Sequence, residues 1–277
     1  MAITNFIPTV WSENLYRALD QQYIGVANCN REYEGEIRQM GSVVKICGVG
    51  KVTVGNYTKN TDLTAPQALD DTVKELVIDR ARYFNFQLDD VDRVQCTPKL
   101  MEAALHNAAS ALGEDADKYV FGLWEQVDQC ITCENVTEEK LINSILKARE
   151  KLYDAGVTDS SSVVLEVSPA VASILFRAKL NLATDNTPVL ENGCVGSIAG
   201  CQIFVSNNVA VIDEDPILRH KCFMRTKRAI AFAEQLSEID AYRPEKRFAD
   251  AVKGLHLYDA AIVHPKEIVM LDVCIGV

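Results

Sequence analysis

Between residues 97 and 127 apolar residues recur at the spacing of an amphipathic helix: Leu100, Ala104, Leu105, Ala108, Ala111, Leu112, Ala116, Tyr119, Val120, Leu123 and Val127. At about 100° per residue they cover one broad face, and Lys99, His106, Ser110, Asp117 and Glu125 fall opposite it. Thr97 supplies an N-cap, and Pro98 stands at the first helical position, where a missing N–H costs nothing. The pattern predicts a single helix over Thr97–Val127, about 45 Å long at roughly 1.5 Å per residue. Two features sit badly in it. Gly113 costs about 1 kcal/mol relative to Ala in a helix interior. Phe121 lies on the polar side and Trp124 at the edge of the stripe, so the helix is expected to be touched from more than one direction.

Upstream, an apolar opening, Phe6-Ile7-Pro8-Thr9-Val10-Trp11, precedes a short amphipathic helix capped by Ser12 and carrying Leu15, Leu19 and Tyr23 on one face. A polar segment, 24–41, follows. Residues 42–57 are strand-rich (Val43, Val44, Ile46, Val49, Val52, Val54), and 73–88 form the complementary set, with Phe84, Phe86 and Leu88 alternating with polar positions. With the polar stretch Thr58–Thr72 between them, the simplest assembly is an antiparallel hairpin with a long tip. Two-stranded ribbons are marginal in water, so this one needs support from elsewhere. Downstream, Thr137 caps a second helix through Leu141, Ile142, Ile145, Leu146 and Leu152 that stops near Gly156. An apolar strand over Ser162–Val167, a helix opening at Ser168-Pro169 and reaching Leu180, and strands at 201–205 and 209–212 complete a separate α/β unit. From Lys221 the chain is mainly extended, a tail expected to pair with the sheet near the long helix.

The composition, 48% hydrophobic and 24% charged over 277 residues, is that of a folded chain rather than a disordered one. A net charge of −11 argues against a surface that grips phosphates, while leaving room for a protein that encloses DNA without holding it. The nine cysteines are odd in number and no secretory signal is legible, so reduced thiols are expected. Cys130-Ile131-Thr132-Cys133 has no second pair with which to build a zinc ribbon. His106, His220, His256 and His264 are dispersed, and Asp89, Asp90 and Asp92 lack EF-hand spacing. Gly193, Gly196 and Gly200 precede a strand instead of opening a helix, Gly48-x-Gly50-Lys51 lacks the rest of a P-loop, and Ser197 is not in a nucleophile elbow. No residue is assigned a catalytic, cofactor-binding or metal-ligating role, no apolar run is long enough to span a membrane, and a structural or binding function is favoured over an enzyme.

At the junction of hairpin and helix, Ile78-Asp79 and then Phe84-x-Phe86-x-Leu88-Asp89-Asp90-Val91-Asp92-x-x-Gln95, leading into an Ala-rich helix, resemble the major capsid proteins of tailed bacteriophages, the Hong Kong 97-type fold. Ile7-Pro8-Thr9-Val10-Trp11-Ser12, Gly41-Ser42-Val43-Val44, Arg228-Ala229-Ile230-Ala231-Phe232-Ala233, Arg243, Phe248, Gly254-Leu255-x-x-Tyr258 and Pro265 are similar to the same family, in the same order. The resemblance is tightest over 78–95 and loosest over about 130–190. It implies an α+β fold: an N-terminal arm (1–41), an extended β-hairpin loop (42–96), a peripheral domain with the spine helix and a β-sheet (97–137 and 241–277), and an α/β axial domain (138–240).

The function so implied is a coat protein that self-assembles as hexamers and pentamers into an icosahedral shell around double-stranded DNA. Such a protein would belong to the virion and be assembled in the cytoplasm of a host bacterium. Its partners would be its own copies, a portal and a separate scaffolding protein, since no long helical segment precedes the arm unless one has been removed; neither sequence-specific DNA binding nor a membrane is implied. Candidate contacts between subunits are Phe6, Trp11, Lys59, Pro66, Phe121 and Trp124. Lys59 falls where some members cross-link, but no local signature supports that chemistry here. The alternatives are an encapsulin-like compartment and, from a different class, a soluble α/β enzyme whose site carries no familiar motif.

Overall fold

The computed structural model describes residues 15, 17–20, 22–33, 41–49, 56, 59, 71–89, 100–159, 162–181, 194–214, 217–246 and 249–276. The long helix, α1, runs Leu100–Gly122 and tightens into a 3-10 turn over Leu123–Gln126. The expected cap, Thr97-Pro98, lies outside the described residues. Leu112, Ala116 and Val120 are buried as the periodicity predicts, together with Ala109, which the pattern does not include, while Ala111 is exposed. A second buried stripe runs beside them, at Gly113, Asp117 and Phe121, one helical turn apart. Asp117, placed by the pattern on the polar face, is fully buried. What covers this stripe is the chain's own segment before the hairpin, described at residues 15, 17–20 and 22–33, which we call the strap. A Cβ at Gly113 would stand 3.2 Å from Gln22 Cβ, so the glycine that costs helix propensity lets the strap lie close.

Two sheets flank this helix. The first is three-stranded, in the order β10-β11-β3, with β3 at Arg80–Asp89, β10 at Ile230–Tyr242 and β11 at Ala249–Ile262. Its inner face meets α1: Tyr258 Oη donates to Asp115 Oδ2 at 2.5 Å, Arg82 Nε donates to the same oxygen at 2.8 Å, and the Tyr119 and Tyr258 rings meet edge-on. Its outer face carries the base of a hairpin, β1 (Val43–Val49) with β2 (Asp71–Val77), paired from Val43↔Val77 to Val49↔Asp71. Val44, Ile46, Leu76 and Ile78 pack there on Ala231, Ala233 and Leu257. The hairpin is therefore the expected one at its base, but its second arm is shorter than the sequence suggests. The chain leaves the ribbon at Ile78-Asp79, and 80–89 pair with β11 instead. The support that a ribbon requires comes, for the described part, from its own sheet.

Gly254 pairs with Phe84 across β11 and β3, and the Phe84 ring lies over it: a Cβ at 254 would be 2.4 Å from that ring. Gly254→Ala is expected to lower subunit stability by about 1–3 kcal/mol through overpacking. Urea denaturation of the single variant beside Gly254→Ala/Phe84→Leu, in which most of the loss should be recovered, checks this.

The second sheet has seven strands, ordered β4-β12-β9-β5-β7-β6 with β8 on β9. These are β4 (Cys130–Cys133), β5 (Val163–Val167), β6 (Cys194–Ile198), β7 (Cys201–Val205), β8 (Val211–Glu214), β9 (Ile217–Thr226) and β12 (Ile268–Gly276). Helices α2 (Glu138–Asp154) and α3 (Pro169–Asn181) pack on it. Thr137 caps α2 by accepting from the Lys140 N–H at 3.4 Å, and Gly156 ends it in the left-handed region at φ 90°. Strand β5 is buried at every position, as an apolar run covered on both faces must be. The tail divides between the sheets. β11 pairs beside the long helix as expected, whereas β12 lies between β4 and β9 in the seven-stranded sheet. Position 240/241, where the sequence reading divides the two units, falls inside β10; the chain crosses between the sheets at 227–229 and 263–267.

Candidate functional site

The most heavily bonded place in the described structure is the junction where the strap crosses both sheets and α1. Asp117 reaches out of α1 and accepts from the Ile24 N–H at 3.0 Å and the Val26 N–H at 2.9 Å, the latter a free donor at the start of the 3-10 turn Val26–Asn28. Burial pushes its carboxyl up, and the backbone N–H donors pull it part of the way back. Gly25 sits on the Phe121 ring, where a Cβ would come within 3.0 Å.

Beside it, Arg225 of β9 and Glu166 of β5 form a fully buried pair, Nε to Oε2 and Nη2 to Oε1, both at 2.9 Å. The same guanidinium donates to two strap carbonyls, Asn28 at 2.7 Å and Gly25 at 2.9 Å. Asn28 Nδ2 donates to Glu166 Oε1 at 3.2 Å. Burial pushes Glu166 up, and the Arg225 charge and bonds oppose this. A third cluster centres on Glu234 of β10. It accepts from Tyr23 Oη at 2.5 Å and Arg31 Nη2 at 2.6 Å, and His256 Nε2 lies 2.9 Å away. Burial pushes the Glu234 carboxyl up, but the bonds from His256 and Tyr23 and the Arg31 charge outweigh it, and the group is held below the ordinary glutamate value. Asn30 then lies beside β10 as a single parallel bridge to Ala231, its N–H on the Ile230 carbonyl and its carbonyl taking the Phe232 N–H, both at 2.9 Å.

Each charge here is matched by a neighbour inside the protein, which suits a structural joint. Among the described residues no group of three or more His, Cys, Asp or Glu side chains is placed to hold a metal ion. Cys130 is exposed and Cys133 buried, because residues three apart on β4 face opposite sides of the strand. No helix among the described residues is long and apolar enough to cross a membrane.

Large apolar side chains reach the surface elsewhere. On the outer face of the three-stranded sheet, Tyr83 is 78% exposed, and Leu255 and Tyr242 are also open to solvent. Tyr83 and Leu255, with Asn85, Asp240 and Lys253, border a shallow groove at Phe84 and Gly254, and Tyr242 Oη donates to Asn85 Oδ1 at 3.3 Å. Val43 and Val77 form an exposed pair on the hairpin, and Leu146 and Tyr153 an exposed pair on α2.

No protein-family profile matches the sequence, and no curated protein does. Solved structures do, over nearly the whole chain. A structure from Mycobacterium phage Che8 has a TM-score of 0.69 and 27% sequence identity, covering 98% of each chain. The capsid of Ralstonia phage GP4 has a TM-score of 0.69 at 11% identity, covering 93% of this chain and 90% of that one. The chain has the Hong Kong 97-type capsid fold. The holo-SrpI encapsulin complex from Synechococcus elongatus shares the fold, with a TM-score of 0.58 at 11% identity over 83% of this chain and 81% of that one. The sequence resemblance to capsid proteins of bacteriophages is thus matched by the whole fold.

Within the capsid fold the candidate contacts separate. Phe121 has no accessible surface in the single subunit, packed on Gly25 with its centroid 6.0 Å from that of Phe223. A ring so enclosed has nothing to offer a neighbour, and the second direction from which α1 is touched is intramolecular. Trp124 is half-buried against the core with the Lys221 ammonium 5.0 Å from its ring, leaving part of its surface for a contact. Lys59 is exposed in a turn. Phe6, Trp11 and Pro66 lie outside the described residues.

The strap's partners were missed by sequence reasoning, although a signal existed. Glu166 stands alone in Val163-Val164-Leu165-Glu166-Val167, and Arg225 ends the run Cys222-Phe223-Met224. Opposite single charges inside two apolar strands point to a buried pair, since neither is tolerated there alone.

Proposed function

We propose that this chain is a major capsid protein of a tailed phage or prophage, whose copies assemble as hexamers and pentamers into an icosahedral shell around double-stranded DNA. The observation that carries this reading is the likeness to the Che8 structure over 98% of both chains. The arrangement of parts agrees with it. The strap belongs to an N-terminal arm, the β1–β2 hairpin to an extended loop, α1 with the three-stranded sheet to a peripheral domain, and the seven-stranded sheet with α2 and α3 to an axial domain. The exposed pairs Val43–Val77 and Leu146–Tyr153 and the Tyr83 face supply apolar surface that shell contacts would cover. A separate scaffolding protein and a portal are the further partners on this reading, and the role is structural, not catalytic.

An encapsulin-like compartment is the second reading, favoured by the likeness to the encapsulin complex. Electron microscopy and mass measurement of the purified protein test both: closed shells are expected, and a monodisperse small globule under all assembly conditions would remove both. Double-stranded DNA inside particles from cells supports the capsid reading, whereas particles holding protein cargo and no genome support the compartment.

A further inference from the structure

We propose that the strap is a separable cross-brace between the two sheets, and that the Glu234 carboxylate is the point at which it is released. The strap bonds three elements, of which α1 and the three-stranded sheet are also tied directly through Asp115 to Tyr258 and Arg82 and through Tyr119 to Asp259. It binds α1 through Asp117, the seven-stranded sheet through Arg225, and the three-stranded sheet through Glu234 and the β10 backbone at Ile230 and Phe232.

These three holds differ in what remains when the strap is gone. Arg225 and Glu166 neutralise one another within the seven-stranded sheet, so lifting the strap costs the guanidinium two neutral carbonyl acceptors and leaves its counter-ion in place. The strap holds Asp117 through backbone N–H groups, those of Ile24 and Val26, and the Asn208 side chain stays with this carboxyl when the strap is gone. At Glu234 the strap supplies two of the partners, the Arg31 guanidinium and the Tyr23 hydroxyl, and of the three named partners only His256 stays with the sheet. Removing the charge on this one carboxylate weakens two strap attachments together and touches no other strap bond. The cluster also opens toward solvent on the strap side: the Arg31 side chain is 28% exposed, and it is bridged at 2.7 Å to Asp20, which is 56% exposed. On the sheet side it is closed, by buried His256 and by the Tyr258 ring, tilted against the imidazole with centroids 4.9 Å apart.

Release would free the two sheets to change their mutual angle, and in a shell that angle enters the curvature each subunit imposes. This consequence rests on the proposed function; release of the strap does not, and its test reads the subunit alone.

Hydrogen–deuterium exchange of the purified full chain, compared with Glu234→Gln and Arg31→Gln, decides it. In Glu234→Gln, peptides covering 22–33 are expected to exchange at least tenfold faster while β9 and β12 keep their protection. Arg31→Gln should give a smaller rise confined to the same peptides. Unchanged strap exchange in Glu234→Gln would overturn the proposal. So would an equal rise in strap, β9 and β12, since strap and sheets would then open as one unit. Should Glu234→Gln yield no folded protein, Arg31→Gln carries the test with the same two outcomes.

Discussion

Arg225→Ala is expected to destabilise the subunit by about 3–5 kcal/mol or more, enough to unfold much of a protein whose total stability is of the usual order of 5–15 kcal/mol. The truncation leaves Glu166, fully buried, without a counter-charge. It also strips the Arg225 donor from the Asn28 carbonyl, which then carries an unmet desolvation cost of about 1–3 kcal/mol unless water enters, while the Gly25 carbonyl keeps the Asn28 N–H at 3.2 Å. Urea denaturation followed by far-ultraviolet circular dichroism measures the loss. Two companion results identify its cause. First, an uncompensated buried Glu166 has its folded-state pKa raised further above the unfolded value, so the folded state binds the extra proton. Its contribution to stability is then greatest below the unfolded glutamate pKa and falls as pH rises through the folded value; the variant's deficit should be smaller near pH 5 than near pH 8. Second, replacing both members together, Arg225→Met with Glu166→Leu, should recover most of the stability lost by the single variant. A deficit independent of pH and not relieved by the double replacement would show that lost packing, and not the orphaned charge, is responsible.

Phe121→Ala is expected to cost about 3–5 kcal/mol of subunit stability, the usual range for deleting a fully buried aromatic ring. Its cavity would open between α1, Phe223 of β9 and Gly25 of the strap, three elements from distant parts of the chain that cannot all close on the gap. The sequence pattern, which sets this ring on the polar side of α1 as a candidate contact with a neighbour, leads to the opposite expectation: assembly weakened more than folding. The two are separated by measuring the unfolding midpoint of the variant and then its shell yield per mole of folded protein. The structure requires the midpoint to fall first. A normal midpoint with failed assembly would return Phe121 to the surface.

The reason for that reversal lies in what periodicity can register. A helix pattern reports the face on which apolar residues collect, and α1 does bury Leu112, Ala116 and Val120 as its spacing predicts. It has no means of reporting a second buried face made of a glycine, an aspartate and one aromatic ring. Gly113, Asp117 and Phe121 are buried because the strap lies over them, and the strap's turn is built to fit: two N–H groups for Asp117, a missing side chain for Phe121. Each of these residues, judged in its own window, looks exposed or misplaced. The same holds for Glu166 and Arg225, which are 59 positions apart in sequence.

Local signals were legible where the physics is local. The Thr137 cap, the Gly156 stop, the apolar run of β5 and the pairing of the hairpin base follow from capping, left-handed backbone, two-sided burial and strand alternation, and they are found as expected. The α+β class and the capsid fold were legible too, because a set of loosely diagnostic stretches occurred in one order along the chain. The partition of the last strands was not. β10, β11 and β12 have similar apolar content, and which sheet each joins depends on where the neighbouring edge happens to be free. Nor could the sequence show that the long helix is braced by the strap. That contact is an agreement among residues in separate parts of the chain, and burial of a charge or a glycine becomes favourable only once all of its partners are in place.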